Sequence, residues 1–235
     1  MKKLLAVGFA GNDGNFGQIP GGPYLGELYA SNLTPGGVLA RYSNGALARA
    51  IREGVAADGR VLLVMPSPQF HDLSDDDVAA IIAYLRSQSA VAHALKPRRM
   101  NALGYILLGA GIFDTSLQPA IAGPVAAVPA DSTARYGEYM TGMLSCRDCH
   151  GKALRGAPSS SLGPHGPDLV ALVPSHPHER FAAAVRTGIG YDGRTLDPAK
   201  MPWPTYSNLD DVEVGALYRY IRGLAGGGAG PAANE

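Results

Sequence analysis

The sequence predicts an all-α protein assembled from two copies of one unit, on three observations. Apolar residues recur at helical spacing, one long pattern is repeated in the same order, and no stretch alternates apolar with polar residues as a half-buried strand would. The first copy runs Arg49-Ala50-Ile51-Arg52-Glu53-Gly54, then Asp58-Gly59-Arg60, Met65-Pro66, Phe70, Leu73 and Ala83-Tyr84-Leu85-Arg86. The second runs Ala184-Val185-Arg186-Thr187-Gly188, then Asp192-Gly193-Arg194, Met201-Pro202, Tyr206, Leu209 and Arg219-Tyr220-Ile221-Arg222. The order is kept throughout, with a two-residue insertion between the Asp-Gly-Arg and the Met-Pro of the second copy, which implies a duplicated domain.

The elements follow in order. Leu47, Ile51 and Val55 fall one helical turn apart, as do Phe181 and Val185, and Gly54 or Gly188 supplies a stop. Asp-Gly-Arg reads as a turn, because Asp and Gly tolerate the backbone angles that turns need. After Met-Pro comes a last helix. Ser74 caps it, Asp75, Asp76 and Asp77 suit the positive end of its dipole, and Val78, Ile81, Ile82 and Leu85 make its buried face. Val214, Leu217, Tyr218 and Ile221 do the same in the second copy. The domains are therefore 1–87 and 131–224. Residues 88–130 form a connecting segment marked by Lys96-Pro97-Arg98-Arg99, Pro119, Pro124 and Pro129 and packed on the domain surfaces, and 225–235 are a Gly/Ala-rich tail expected to be disordered.

Composition narrows the function classes. Among 235 residues, 20 basic side chains balance 20 acidic ones, so no net field recruits nucleic acid or an anionic surface, and any partner has to be recognised by a local patch. Met1-Lys2-Lys3 followed by Leu4 to Ala10 imitates the start of a signal peptide but lacks a small-residue cleavage site. The most apolar internal stretch, Leu103 to Phe113, is well short of the ~20 residues of a membrane-spanning helix, and Asp114 closes it.

The chemistry concentrates in Cys146-Arg147-Asp148-Cys149-His150. Two cysteines three positions apart make no disulfide framework for a chain of this length. A thioredoxin-like pair or half of a zinc site are the other readings of a CxxC. With His directly after it, the pattern is the attachment sequence of c-type haem: two thiols on one helical turn meet two vinyl groups, and the imidazole of His150 reaches the iron. Met201 is the candidate second ligand, held by Pro202 ahead of the last helix, and a thioether there favours ferrous iron. Its other reading is a core methionine filling a gap. His165, His176 and His178 compete for the same position, although Pro174-Ser175-His176-Pro177-His178 reads as an exposed turn before a helix near Glu179. Pro167 stands where a carbonyl is wanted to orient the proximal imidazole, with a plain loop proline as the alternative.

On Tyr136-Gly137-Glu138-Tyr139, Cys146 to Gly151, Pro167-Asp168-Leu169, Arg186-Thr187-Gly188, Asp192-Gly193-Arg194 and Met201-Pro202-Trp203, the second half resembles class I cytochrome c domains. With Ala30 to Pro35, Arg52-Glu53-Gly54, Asp58-Gly59-Arg60 and Met65-Pro66 added, the whole chain resembles the bacterial diheme cytochromes c, including cytochrome subunits of alcohol and aldehyde dehydrogenases. The resemblance implies His150/Met201 ligation, Pro167 as the partner of His150, Leu169 packed on the haem and Arg186 helping to hold a propionate. It also implies haem attachment outside the cytoplasm, in the periplasm or at the outer face of the inner membrane. The chain departs from that family in one respect. Met65 corresponds to Met201, but the first copy has no CxxCH, so one haem c is expected in this chain. A longer natural protein, begun upstream of Met1 and carrying a second CxxCH and a leader, would account for the missing CxxCH and for the lack of a complete signal peptide.

The expected function is one-electron transfer, without catalysis of its own, between a dehydrogenase or another cytochrome and an acceptor. The principal rival is a haem enzyme, peroxidase-like or sulfur-compound-oxidising, with an open iron position. Zinc held by Cys146, Cys149 and nearby histidines is a weaker third reading.

Overall fold

The computed structural model describes residues 11, 14–18, 22–63, 65–94, 96–111, 117–157 and 165–227. The leader-like start, the closing residues of the apolar stretch and the end of the Gly/Ala tail lie outside the described residues. The protein is helical, as the sequence predicts, and its only paired strands among the described residues are two short segments. The chain forms two compact units, Met1–Ala127 and Val128–Glu235.

In the first unit α1 (Asn44–Arg52) starts at Ser43, whose hydroxyl accepts from the Ala46 amide, and ends before Gly54, which adopts φ 72°. Val55 therefore leaves the helix that its spacing suggested. It pairs instead with Val61 across the Asp58-Gly59-Arg60 turn, and remains buried there. A one-turn helix α2 (Ser67–Phe70) follows Met65-Pro66, and α3 (Asp75–Arg86) starts at Ser74, which accepts from the Asp77 amide. Val78, Ile82 and Leu85 of α3 are buried, whereas Ile81 stays more than a third exposed, because the stripe that α1 covers is narrower than the apolar pattern. Of residues 88–130, read from sequence as a connecting segment, the described stretches up to Ala127 belong to this unit. The Asn32 side chain donates to the Val91 carbonyl at 2.9 Å, and Val125 exchanges backbone and side-chain bonds with Asp75. Strands β1 (Gly26–Glu27) and β2 (Arg99–Met100) pair antiparallel, and α4 (Ala102–Gly109) leaves from β2.

The second unit contains α5 (Ala134–Met143), α6 (Cys146–His150), α7 (Leu169–Leu172) continued by a 3-10 turn to Ser175, α8 (His178–Thr187) and α9 (Asp211–Ala225). Helix α9 opens on a reciprocal capping box between Asp210 and Glu213. Its face of Val214, Leu217, Tyr218 and Ile221 is buried, and it crosses α5 where Gly137 lies directly against the Ala216 carbonyl. Met140, Leu154 and Val173 complete a core that is almost fully closed to solvent.

The two units share local geometry point by point. Pro66 and Pro202 have φ/ψ of −78°/51° and −77°/51°. The amide after each proline returns to the methionine carbonyl, at 2.8 Å for Ser67 to Met65 and 2.7 Å for Trp203 to Met201. Arg52 pairs with Asp75 at 2.7 Å, and Arg186 pairs with Asp211 at 2.8 Å. In each case an arginine in the last turn of one helix is tied to the first residue of a later one, α3 or α9.

Candidate haem site

The site is built on α6. Ser145 sits in the left-handed region at φ 57°, an uncommon place for a residue with a Cβ, and turns the chain directly from the end of α5 into the helix. Cys146, Cys149 and His150 thus share barely more than one turn, and both thiols are free. Cys146 packs against the core, and burial pushes its thiol up to about 12. Burial also raises Cys149. Both thiols are therefore held in the neutral form at neutral pH.

His150 is buried. Its Nδ1 lies 2.9 Å from the Pro167 carbonyl oxygen. A carbonyl only accepts, so Nδ1 carries the hydrogen, and burial holds the ring below its ordinary pKa and hence neutral. In that tautomer Nε2 keeps its lone pair, which is the form a metal needs. Gly166 lies against the face of the same ring, so close that any Cβ would collide with the imidazole. The position of residues 166–169 is set by backbone bonds from Gly166 N to Cys149 O at 2.7 Å and from Leu169 N to Leu154 O at 2.9 Å, and by a bridge between Arg155 and Asp168. Leu169 is half-buried against the core.

Met201 is half-buried, its amide bonded to the Asp197 carbonyl. The turn that carries it is tied to the attachment helix by Tyr206, whose hydroxyl donates to the Leu144 carbonyl at 3.0 Å, two residues before Cys146. Burial, and the nearby thiols next, push the Tyr206 hydroxyl up to about 12, so it remains a donor. Trp203 closes the other side of the turn. Its Nε1 donates to Leu196 O at 3.1 Å, and its ring covers Gly188. Arg186 uses Nη1 for Asp211, while its Nε is buried without a protein partner. Met65 belongs to the first unit and occupies the equivalent turn there.

Two sequence readings change. His176 is not simply exposed: its ring lies tilted against Tyr191 with centroids 4.0 Å apart, and its Nδ1 lies 3.0 Å from Leu172 O. His178 begins α8 and meets the edge of Tyr218 at 5.2 Å. Both rings are therefore engaged in packing. Among the described residues no cluster of three or more His, Cys, Asp or Glu is arranged to hold a metal ion. The residues present do fit a covalently bound haem, with two adjacent free thiols and an oriented neutral imidazole on one short helix.

Sequence reasoning missed Tyr206, Gly166 and the cluster beside Arg147. Arg147 contacts the buried Tyr220 hydroxyl at 3.2 Å and lies 3.9 Å from Glu138, bracing α6 against α5 and α9. Comparing the repeats offers a signal only for Tyr206, which faces Phe70 in the alignment and adds one hydroxyl.

No family model matches the chain. Part of the chain is similar to cytochrome c subunits of dehydrogenases. The gluconate 2-dehydrogenase cytochrome c subunit of Pantoea cypripedii is 31% identical over 104 residues, covering 39% of this chain and 23% of that protein. The fructose dehydrogenase cytochrome subunit of Gluconobacter japonicus is 30% identical over 138 residues, or 54% of this chain and 28% of that protein. The cytochrome c subunit of the quinone-dependent alcohol dehydrogenase of Gluconobacter oxydans is 32% identical over 99 residues, 37% of this chain and 20% of its own length. The chain thus spans less than a third of each of these relatives. Their names support a cytochrome c family and the binding of haem c. No described helix is long and apolar enough to cross a membrane.

Proposed function

We propose that this chain is an electron carrier holding one haem c through thioethers at Cys146 and Cys149, with His150 and Met201 as axial ligands. The observation that carries the reading is the CxxCH helix whose histidine is neutral, buried and oriented by the Pro167 carbonyl. The haem supplies a reversible one-electron couple at iron. Everything else is the work of the chain. Pro167 fixes the His150 tautomer and enriches its donor nitrogen. Gly166 leaves room for the ring, Leu169 and the core exclude water, and Tyr206 ties the Met201 turn to the attachment helix. The unpaired Nε of Arg186 is a donor suited to a propionate. A dehydrogenase, or a second cytochrome, is the partner, and the periplasmic side is the compartment that a covalently attached haem argues for. The paired geometry of the two units supports descent from a two-haem tandem, with Met65 as the counterpart of Met201.

Protein made with cytochrome c maturation should give a haem-stained band that survives denaturation and is lost in Cys149→Ala. Met201→Ala should abolish the weak sulfur-to-iron absorbance at the red end of the spectrum. A wild-type protein that is high-spin when ferric and binds cyanide quickly would instead establish the haem-enzyme reading. Iron analysis should return one haem per chain, and two would assign a further haem to residues 1–127.

A further inference from the structure

We infer that α4 and the basic segment before it form a docking surface for a membrane of anionic phospholipid. The inference goes beyond the electron-carrier reading and does not need the haem. Helix α4 carries no charge, and its polarity is reversed relative to an ordinary surface helix. Its one buried residue is Gly104, pressed against the Leu25 carbonyl and Met100, while Leu103, Tyr105 and Ile106 are 42%, 61% and 64% exposed. This orientation is held firmly. The Asn101 side chain accepts from the Gly104 amide at 2.8 Å and donates to Tyr24 O at 2.7 Å, and the Asn101 amide donates to Leu25 O at 3.0 Å. The large apolar side chains are therefore presented outward by the fold.

The charge beside them selects the occupant. Lys96, Arg98 and Arg99 are exposed at the foot of the helix, and no acidic residue occurs between Lys96 and Gly111. Glu27 stands opposite Arg99 in the ladder. With the whole chain near neutrality, this is a local patch of the kind the composition demands. Aliphatic side chains that enter the acyl boundary, tyrosines at headgroup depth (Tyr105, and Tyr24 at 46% exposure) and cations at phosphate level make the set that seats a protein on an anionic bilayer. At eight residues α4 lies in the interface plane and does not span it.

The test is sedimentation of the purified full chain with vesicles of phosphatidylcholine alone and of phosphatidylcholine containing about 30% phosphatidylglycerol. Binding should be about tenfold or more stronger to the anionic vesicles and should weaken with salt. Ile106→Asp should lower it about tenfold without moving the thermal melt, because the side chain faces solvent. Lys96→Ala, Arg98→Ala and Arg99→Ala together should erase the preference for anionic lipid. Absence of vesicle binding, or equal binding by Ile106→Asp, overturns the proposal. So does a lipid-free dimer that Ile106→Asp dissociates, which would assign the surface to a second copy. The visible spectrum is read on the same samples, so failure of the haem assignment is seen separately.

Discussion

At the scale of single residues the site depends on how closely the backbone approaches His150. Gly166 is in contact with the imidazole, and an added Cβ would have to push the ring off the line fixed by the Pro167 carbonyl. Gly166→Ala should therefore lower the haem content of purified protein, or shift its spectrum toward a high-spin form, while leaving the far-ultraviolet circular dichroism of the helices unchanged. Full haem content with an unaltered spectrum would show that the ring has room to move. The grouping of the two thiols and the imidazole was legible in the sequence, because CxxCH is local and falls on one short helix. Gly166 and Tyr206 were not. Each acts on a partner distant in sequence, and nothing about a glycine or a tyrosine announces which backbone it will meet.

At the scale of elements, the crossing of α5 and α9 holds the attachment helix in place. Gly137 lies against the Ala216 carbonyl and the Tyr220 side chain, so Gly137→Ala should force the helices apart at a cost of about 1–3 kcal/mol, read as a lower denaturant midpoint for the second unit. An unchanged midpoint would mean that the crossing shifts freely. In the first unit the buried Arg52 is joined to Asp75 at the start of α3, and also to the Leu73 carbonyl. The hydrogen bond from Arg52 holds Asp75 below the ordinary carboxylate range, so the charged carboxylate is favoured by folding. The stabilisation is complete above the usual aspartate pKa and is lost as pH falls through the lowered value. Asp75→Asn should accordingly be less stable than the parent at neutral pH, and the two should converge in acid; parallel curves would exclude the pair as a source of acid sensitivity. The Ser74 cap was readable because it acts within its own helix. The exposure of Ile81 was not, since a moment along one helix does not reveal the width of the surface that will cover it.

At the scale of the whole molecule, Val128–Glu235 contains its own closed core together with the CxxCH helix, Pro167 and Met201. A chain cut to 128–227 should fold and take up haem with the spectrum of the full protein. Failure to do so, with the full chain competent, would make the first unit part of the site. The sequence by itself determined the helical class, and it carried the duplicated pattern and the CxxCH, because periodicity, order and short spacing are properties of the chain alone. It also carried the likeness to cytochrome c subunits of dehydrogenases, which rests on residue identity. Tertiary structure decided which face of α4 meets solvent, that residues 88–127 pack with the first unit, which carbonyl orients His150, and that His176 and His178 are taken up in aromatic packing. Those outcomes depend on contacts between segments far apart in the sequence, whose geometry exists only once the chain has closed on itself.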